Sequence, residues 1–421
     1  MAAVYYLQKF YLRTSRQIRY LDLEAKSPLD THILETLGGL TTIRAFGWEQ
    51  SFQDKNIELL DLSQRPFYLL YCIQRWLNLV LDLFVGALAV VLVAMATLIP
   101  GATSAGAVGV ALINILGFNQ QLAQLISSWT SLETSLGTIA RLKNLEKDTP
   151  TEPHPTHPKT FPDGWPGAGH LKIDSVIASY SPHTEPVLRN ISIDIKPGEK
   201  IAICGRTGSG KSSLLLSIFR LLEIHSGIVT IDGIDITELA PNTIRSHLIA
   251  IPQAPVIFPG SVRFNMSVMC LNQPDNETII RALKKVGLWV AISGHGNLEP
   301  EVTTSYNEIL DVDLSSISLS EGQKQLFCLA RAIVKRNESR ILVLDEAMSS
   351  VDRQTEDLMV RVIDEEFSSH TVISVVHKLN TTMGFDRVAV LEAGKVAEIG
   401  TPAELLEKEQ GIFRALWERS G

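Results

Sequence analysis

The run Gly205, Arg206, Thr207, Gly208, Ser209, Gly210, Lys211, Ser212, Ser213 has the G-x-x-x-x-G-K-S spacing that cradles the phosphates of a nucleoside triphosphate. Its glycines let backbone N–H groups come close to phosphate oxygens, and the helix that must follow turns its positive end toward them. Lys211 is expected to reach the β- and γ-phosphates, and the Ser212 hydroxyl to ligate Mg2+. The flanks suit this chemistry. Lys200–Cys204 is an apolar, strand-like run, and Leu214, Leu215, Ile218 and Leu222 recur at helical spacing behind the loop.

A second apolar run, Ile341–Leu344, ends in Asp345 and Glu346. Two acids after a buried strand suit one carboxylate that holds magnesium through water and another that activates an attacking water. Asp345 is the candidate for the first role and Glu346, as general base, for the second. The third piece is Leu319–Gln323. Ser320 and Gln323 are spaced as a capping box, so a helix begins there with free N–H groups, and Gly322 permits close approach. This is a second anion site on the same chain; an ordinary capped helix has the same local sequence, and local chemistry does not separate the two.

These groups need a rigid support. From His170 onward short β-like runs alternate with helical ones, Thr371–Val376 and Val388–Leu391 among them, and Asp232-Gly233 between Ile228–Ile231 and Ile234–Ile236 predicts a hairpin. The pattern predicts an α/β P-loop NTPase domain with an added antiparallel part over residues 170–421. Residues 149–169, rich in proline, histidine, glycine and threonine and without periodicity, read as a linker.

Residues 1–148 read as a partial transmembrane domain. Leu83–Ile99 carries no charge, and the predicted spans cover about 76–99 and 103–129, joined by a turn at Gly101–Ser104. The second has a wet side bearing Asn119, Gln120, Gln121 and Gln124. Arg13, Arg16, Arg19, Lys26, Arg44 and Arg75 all precede the first span, which places Arg13–Arg75 in the cytosol. Ile33, Leu34, Leu37, Leu40, Ile43 and Phe46 recur at helical spacing behind Ser27-Pro28, a helix-start signal. Asp82 within the first span is a candidate functional acid by default, but pairing with a neighbouring helix or a place near the cytosolic interface is favoured over substrate binding.

With 421 residues, two or more structural units are expected. The net charge of −8 gives no footprint for nucleic acid. Cys72, Cys204, Cys270 and Cys328 are scattered singly, as in a reducing, cytosol-facing protein, and no signal peptide is visible.

Together these residues resemble the ATP-binding cassette (ABC) superfamily. Leu319–Gln323 is similar to its signature sequence, Gln253 to the Q-loop glutamine, Ser350–Asp352 to the D-loop and His377 to the switch histidine, and six elements fall in family order. The resemblance implies ATP and Mg2+ as cofactors. It implies Ser212, Gln253 and Asp345 at the metal, Lys211, Gln253, Glu346 and His377 in catalysis, and Tyr180 stacked on adenine. Ser320, Gly322 and Gln323 then serve the ATP of a partner domain. The N-terminal part is similar to the second half of C-subfamily, multidrug-resistance-associated transporters, fungal members above all. Tyr11–Gln17, Glu24–Pro28, Thr42–Phe46 and Arg75-Trp76 carry that likeness. It implies helices of the type I exporter kind, incomplete here, with a coupling helix at Ser27–Asp30.

Two departures stand out. Glu321 replaces the usual glycine and brings negative charge toward a phosphate, which fits the signature of a second-half domain serving the weaker ATP site. The resemblance also implies further spans ahead of Met1, of which this sequence holds a stub at Val4–Leu12, and the two expected spans alone do not wall a translocation path. The expected function is ATP-driven efflux of small molecules, drug, toxin or secondary-metabolite-like, by a multi-pass protein of the plasma or vacuolar membrane with a cytosolic nucleotide-binding domain. The expected partners are a second nucleotide-binding domain and the missing helices, from a second copy or another half-transporter, together with lipid and cargo but no nucleic acid. The alternatives are a truncated, non-transporting fragment or regulatory interaction protein, and a soluble cassette ATPase of repair or translation, against which the apolar spans argue.

Overall fold

In the computed structural model, residues 2–98, 104–152, 161–162, 164–294, 306–349 and 351–420 are described, and the chain forms two units, Met1–Thr151 and Glu152–Gly421. The first unit is helical: α1 Ala2–Gly38, α2 Leu40–Phe46, α3 Glu49–Leu98 and α4 Ala105–Asp148. Pro28 lies inside α1, so Ser27-Pro28 starts no helix, and Ser27–Asp30, where a coupling helix is expected, is part of this continuous helix. One proline removes one ladder hydrogen bond, and the helix carries on around it, with the Thr31 hydroxyl donating to the Ser27 carbonyl (3.0 Å). The break comes instead at Gly38-Gly39. After α2, Gly47 takes a left-handed φ of 66°, and the N–H groups of Gly47 and Trp48 close back on the carbonyls of Arg44 and Ile43.

α1 and α3 pack through Tyr11, Leu77 and Leu81, all buried, while Asp82 next to Leu81 is exposed. Among the described residues α3 is the one helix long and apolar enough to cross a membrane. α4 starts at Ser104, whose hydroxyl accepts from Ala107 N (3.3 Å), and the apolar stretch Gly106–Ile115 within it lies on the second predicted span. Residues 99–103, including most of the predicted turn, lie outside the described residues, as do the side chains of Asn119 and Gln120.

The second unit holds two sheets. Strands β1 Leu171–Ser179, β2 Leu188–Ile195, β4 Glu223–Ile231 and β5 Ile234–Asp235 form an antiparallel sheet in the order β2-β1-β4-β5. The predicted hairpin joins β4 and β5 through Asp232 and Gly233, both with positive φ (48° and 77°). The other sheet runs β10-β9-β3-β8-β7-β6, from β3 Lys200–Gly205, β6 Ile249–Ile251, β7 Ile341–Asp345, β8 Thr371–Val375, β9 Arg387–Glu392 and β10 Lys395–Gly400. Its strands are parallel except for the β9–β10 pair. Ile341–Leu344 is buried throughout, as a central parallel strand covered on both faces must be. The helices that matter for the site are α5 Lys211–Ile218, α6 Asn276–Lys285, α7 Glu321–Lys335 and α8 Arg353–Glu366.

The segment read as a linker straddles the division between the units, and its end is packed. Trp165 is 4% exposed and donates its indole N–H to the Ile231 carbonyl (3.1 Å). The Asp232 carboxylate accepts from the backbone N–H groups of Ala168, Gly169 and His170 at 2.7–3.3 Å. Residues 153–160 and 163 of that segment lie outside the described residues.

Candidate functional site

Strand register assembles the site. β8 lies between β3 and β7, with Val375 level with Ile203 on one side and with Asp345 on the other. The loop that leaves β3 at Gly205, the acids that end β7 and His377 just past β8 therefore emerge at one sheet edge, the carboxyl end where α/β proteins bind ligands.

Gly205, Gly208 and Gly210 all have positive φ (149°, 81° and 102°). A Cβ on Gly205 would stand 2.3 Å from the Leu391 carbonyl oxygen, so the loop leaves the strand by a path open only to glycine. Arg206, Thr207 and Gly208 are exposed and Ser209 is buried. Lys211 is buried and donates its Nζ to the carbonyls of Gly205 (3.0 Å) and Arg206 (3.2 Å), folding across its own loop. Burial pulls its pKa down, against the opposing pull of Glu346 and Asp345. The Tyr180 hydroxyl pairs with Ser213 Oγ (3.0 Å), leaving its ring half uncovered beside the start of α5.

Ser212 Oγ donates to Asp345 Oδ1 (3.4 Å). Burial and, after it, the neighbouring Glu346 charge hold the Asp345 carboxyl above the usual carboxylate range. Glu346 has a left-handed φ of 49°, costly for a residue with a side chain, and its carboxylate is gripped at both oxygens. Gln253 Nε2 donates to one (2.8 Å) and His377 Nε2 pairs with the other (2.5 Å). Sequence reasoning placed these three residues in one site; their mutual hydrogen bonds came only from the fold.

The predicted capping box is present. Gln323 N donates to Ser320 Oγ (3.2 Å), and Ser320 N to Gln323 Oε1 (2.9 Å). Glu321 pairs with Lys324 (2.6 Å), so its charge is offset within α7 itself. Gly322 lies beside Asp352 and Thr355 at the start of α8, where Asp352 caps the helix through the N–H groups of Gln354 and Thr355. Ser350 lies outside the described residues. Two polar side chains of α7 had no motif to announce them. Gln325, 1% exposed, donates to the carbonyls of Pro252 (3.1 Å) and Gln253 (2.7 Å). Arg331, 4% exposed, donates to Val256 O (2.5 Å) and Asn265 O (2.7 Å) and lies over the Phe327 ring. The usable signal was a polar residue beside the apolar face of an amphipathic helix, where burial demands partners.

Two family models match the chain, the ABC transporter transmembrane region over residues 1–125 and the ABC transporter over residues 188–349. Among similar proteins, ABC multidrug transporter B of Aspergillus fumigatus is 48% identical over 99% of this chain and 28% of its own length. ABC transporter gloK of Glarea lozoyensis is 48% identical over 98% of this chain and 30% of its own length. The chain thus spans under a third of either relative. The solved structure of a bacterial Atm1-family ABC exporter with ATP bound superposes with a TM-score of 0.83 at 22% identity, covering 100% of this chain and 71% of that one, and shares its fold. The chain carries, in order, a transmembrane region and a nucleotide-binding domain of the ABC transporter family.

Proposed function

We propose that this chain is the ATP-hydrolysing part of an ABC exporter that drives small molecules, of drug, toxin or secondary-metabolite type, out across a membrane. The observation that carries the reading is the convergence of Gly205–Ser213, Asp345, Glu346, Gln253 and His377 at the ends of neighbouring parallel strands. The loop amides and Lys211 bind the phosphates, with Tyr180 against the base. Ser212, Gln253 and Asp345 offer oxygen atoms suited to Mg2+, and the adjacent carboxylates of Asp345 and Glu346 form a site where a divalent cation would offset like charge. Bound there, the ion supplies charge neutralisation on the phosphate oxygens. Glu346 accepts the proton of the attacking water on a carboxylate lone pair left open by its bonds to Gln253 and His377, and His377 contacts the γ-phosphate. Ser320, Gly322 and Gln323 face the ATP of a second nucleotide-binding domain.

Membership of the C subfamily, as a second-half domain, is supported by Tyr11–Gln17, Glu24–Pro28 and Thr42–Phe46 and by the fungal relatives. The plasma membrane, or the vacuolar membrane, is its place. The test is Mg2+-dependent ATP hydrolysis by the full chain in lipid, followed across protein concentration. Turnover that rises steeply with concentration means that two copies complete each other's site. Binding without turnover at any concentration means that another half-transporter supplies the signature, and no nucleotide binding refutes the reading.

A further inference from the structure

We propose that Gln325 is a positioning residue for Gln253, tying the first turns of α7 to the Glu346 carboxylate of the same chain. The inference rests on the reading of Glu346 as general base and of the α7 start as a phosphate-facing end.

Gln325 sits where an apolar side chain would be cheaper. It is 1% exposed between α7 and the end of β6, next to Leu326 and Phe327, and its Oε1 is buried without a hydrogen-bond partner among the described residues. Burying a primary amide with an orphaned oxygen costs stability, so packing alone does not account for it. Both bonds of its Nε2 go to consecutive carbonyls, Pro252 and Gln253. The Gln253 side chain in turn donates to Glu346 (2.8 Å). Arg331 holds the same loop further along, at Val256 O (2.5 Å). One stiff helix thus grips residues 252–256 at two points, and its capped end at Ser320 lies about 7.5 Å along the axis from Gln325. A shift of that end on meeting a ligand is transmitted to the Gln253 backbone, and through its side chain to the grip on Glu346.

The experiment uses the full chain in lipid with Gln325→Met, which keeps length and volume but removes both donors, Gln253→Ala and the double variant. Gln325→Asn, which keeps the amide but withdraws it by one methylene, is the second test of the same contact. Without nucleotide, hydrogen exchange of the 250–257 amides is expected to quicken at least fivefold in Gln325→Met while 205–213 is unchanged; equal exchange overturns the inference. In turnover, kcat is expected to fall about tenfold with KM for ATP held within about twofold, and the loss should nearly vanish in the Gln253→Ala background. Losses that multiply in the double variant, or a change confined to KM, identify Gln325 as a plain structural staple. A wild-type chain that binds no nucleotide refutes the ATPase reading, one that binds without turnover needs its partner half, and in either case the exchange result still decides the role of Gln325.

Discussion

Glu346→Gln replaces one carboxylate oxygen by an amide nitrogen without changing length or volume. Its effect on the fold should be small. The two hydrogen bonds at this side chain lose their charge assistance, at about 1 kcal/mol each, while the like-charge pressure on Asp345 disappears and offsets part of that loss. The left-handed backbone at 346 is equally awkward for both residues. The net change is about 1 kcal/mol or less, a melting shift of about 2–4 °C. Turnover should respond quite differently, because loss of a general base costs about 10²–10⁴ in rate, or roughly 3–5 kcal/mol of barrier. The assay pairs Mg2+-dependent phosphate release with fluorescent-nucleotide binding and a thermal melt on the same preparation. Intact binding, a near-native melt and a rate at least a hundredfold lower are expected. Hydrolysis retained within about tenfold of wild type would refute the role of Glu346.

Asp345 titrates above the ordinary carboxylate range, and its protonated form cannot hold a cation. Mg2+-dependent nucleotide affinity should therefore fail, as pH drops, at a pH above that of an ordinary aspartate, about 3.9. The sign for the empty domain is opposite: a carboxyl with a raised folded pKa favours folding at low pH and loses that contribution as pH rises through the folded value. In Glu346→Gln one cause of the rise is gone, so the midpoint of binding should move down, and equal midpoints would show that Glu346 does not press on Asp345. Trp165→Ala removes a buried ring and its bond to Ile231 O, and should destabilise the full chain by about 3–5 kcal/mol in a denaturant melt; a change below about 1 kcal/mol would show residues 161–169 to be a free linker after all.

Much of this site is legible in the sequence because its parts are local. A glycine-rich turn between a strand and a helix, two acids closing an apolar run and a capping box each state their own geometry within ten residues. The errors lie where the deciding partner is remote. Proline, glycine and histidine made 149–169 look unstructured, and nothing nearby showed that Trp165 inserts beneath β4. Ser27-Pro28 carried a true helix-start signal, yet packing of α1 along α3 outweighs one missing hydrogen bond. Gln325 has no motif, since its meaning depends on carbonyls 72 and 73 residues away.

The length of α3 has a mechanical consequence. Fifty residues make a rod of about 75 Å, whereas a hydrocarbon core takes up only about 30 Å, so more than half of the helix stands clear of lipid. A tilt of about 10° at the membrane surface swings the free end of such a rod by about 7 Å. Pro66, which lies within that overhang and leaves the Leu62 carbonyl without its helical donor, is the natural flexure point. The overhang makes α3 a lever arm, and the stiffness at residue 66 sets how much of a push at one end survives as displacement at the other.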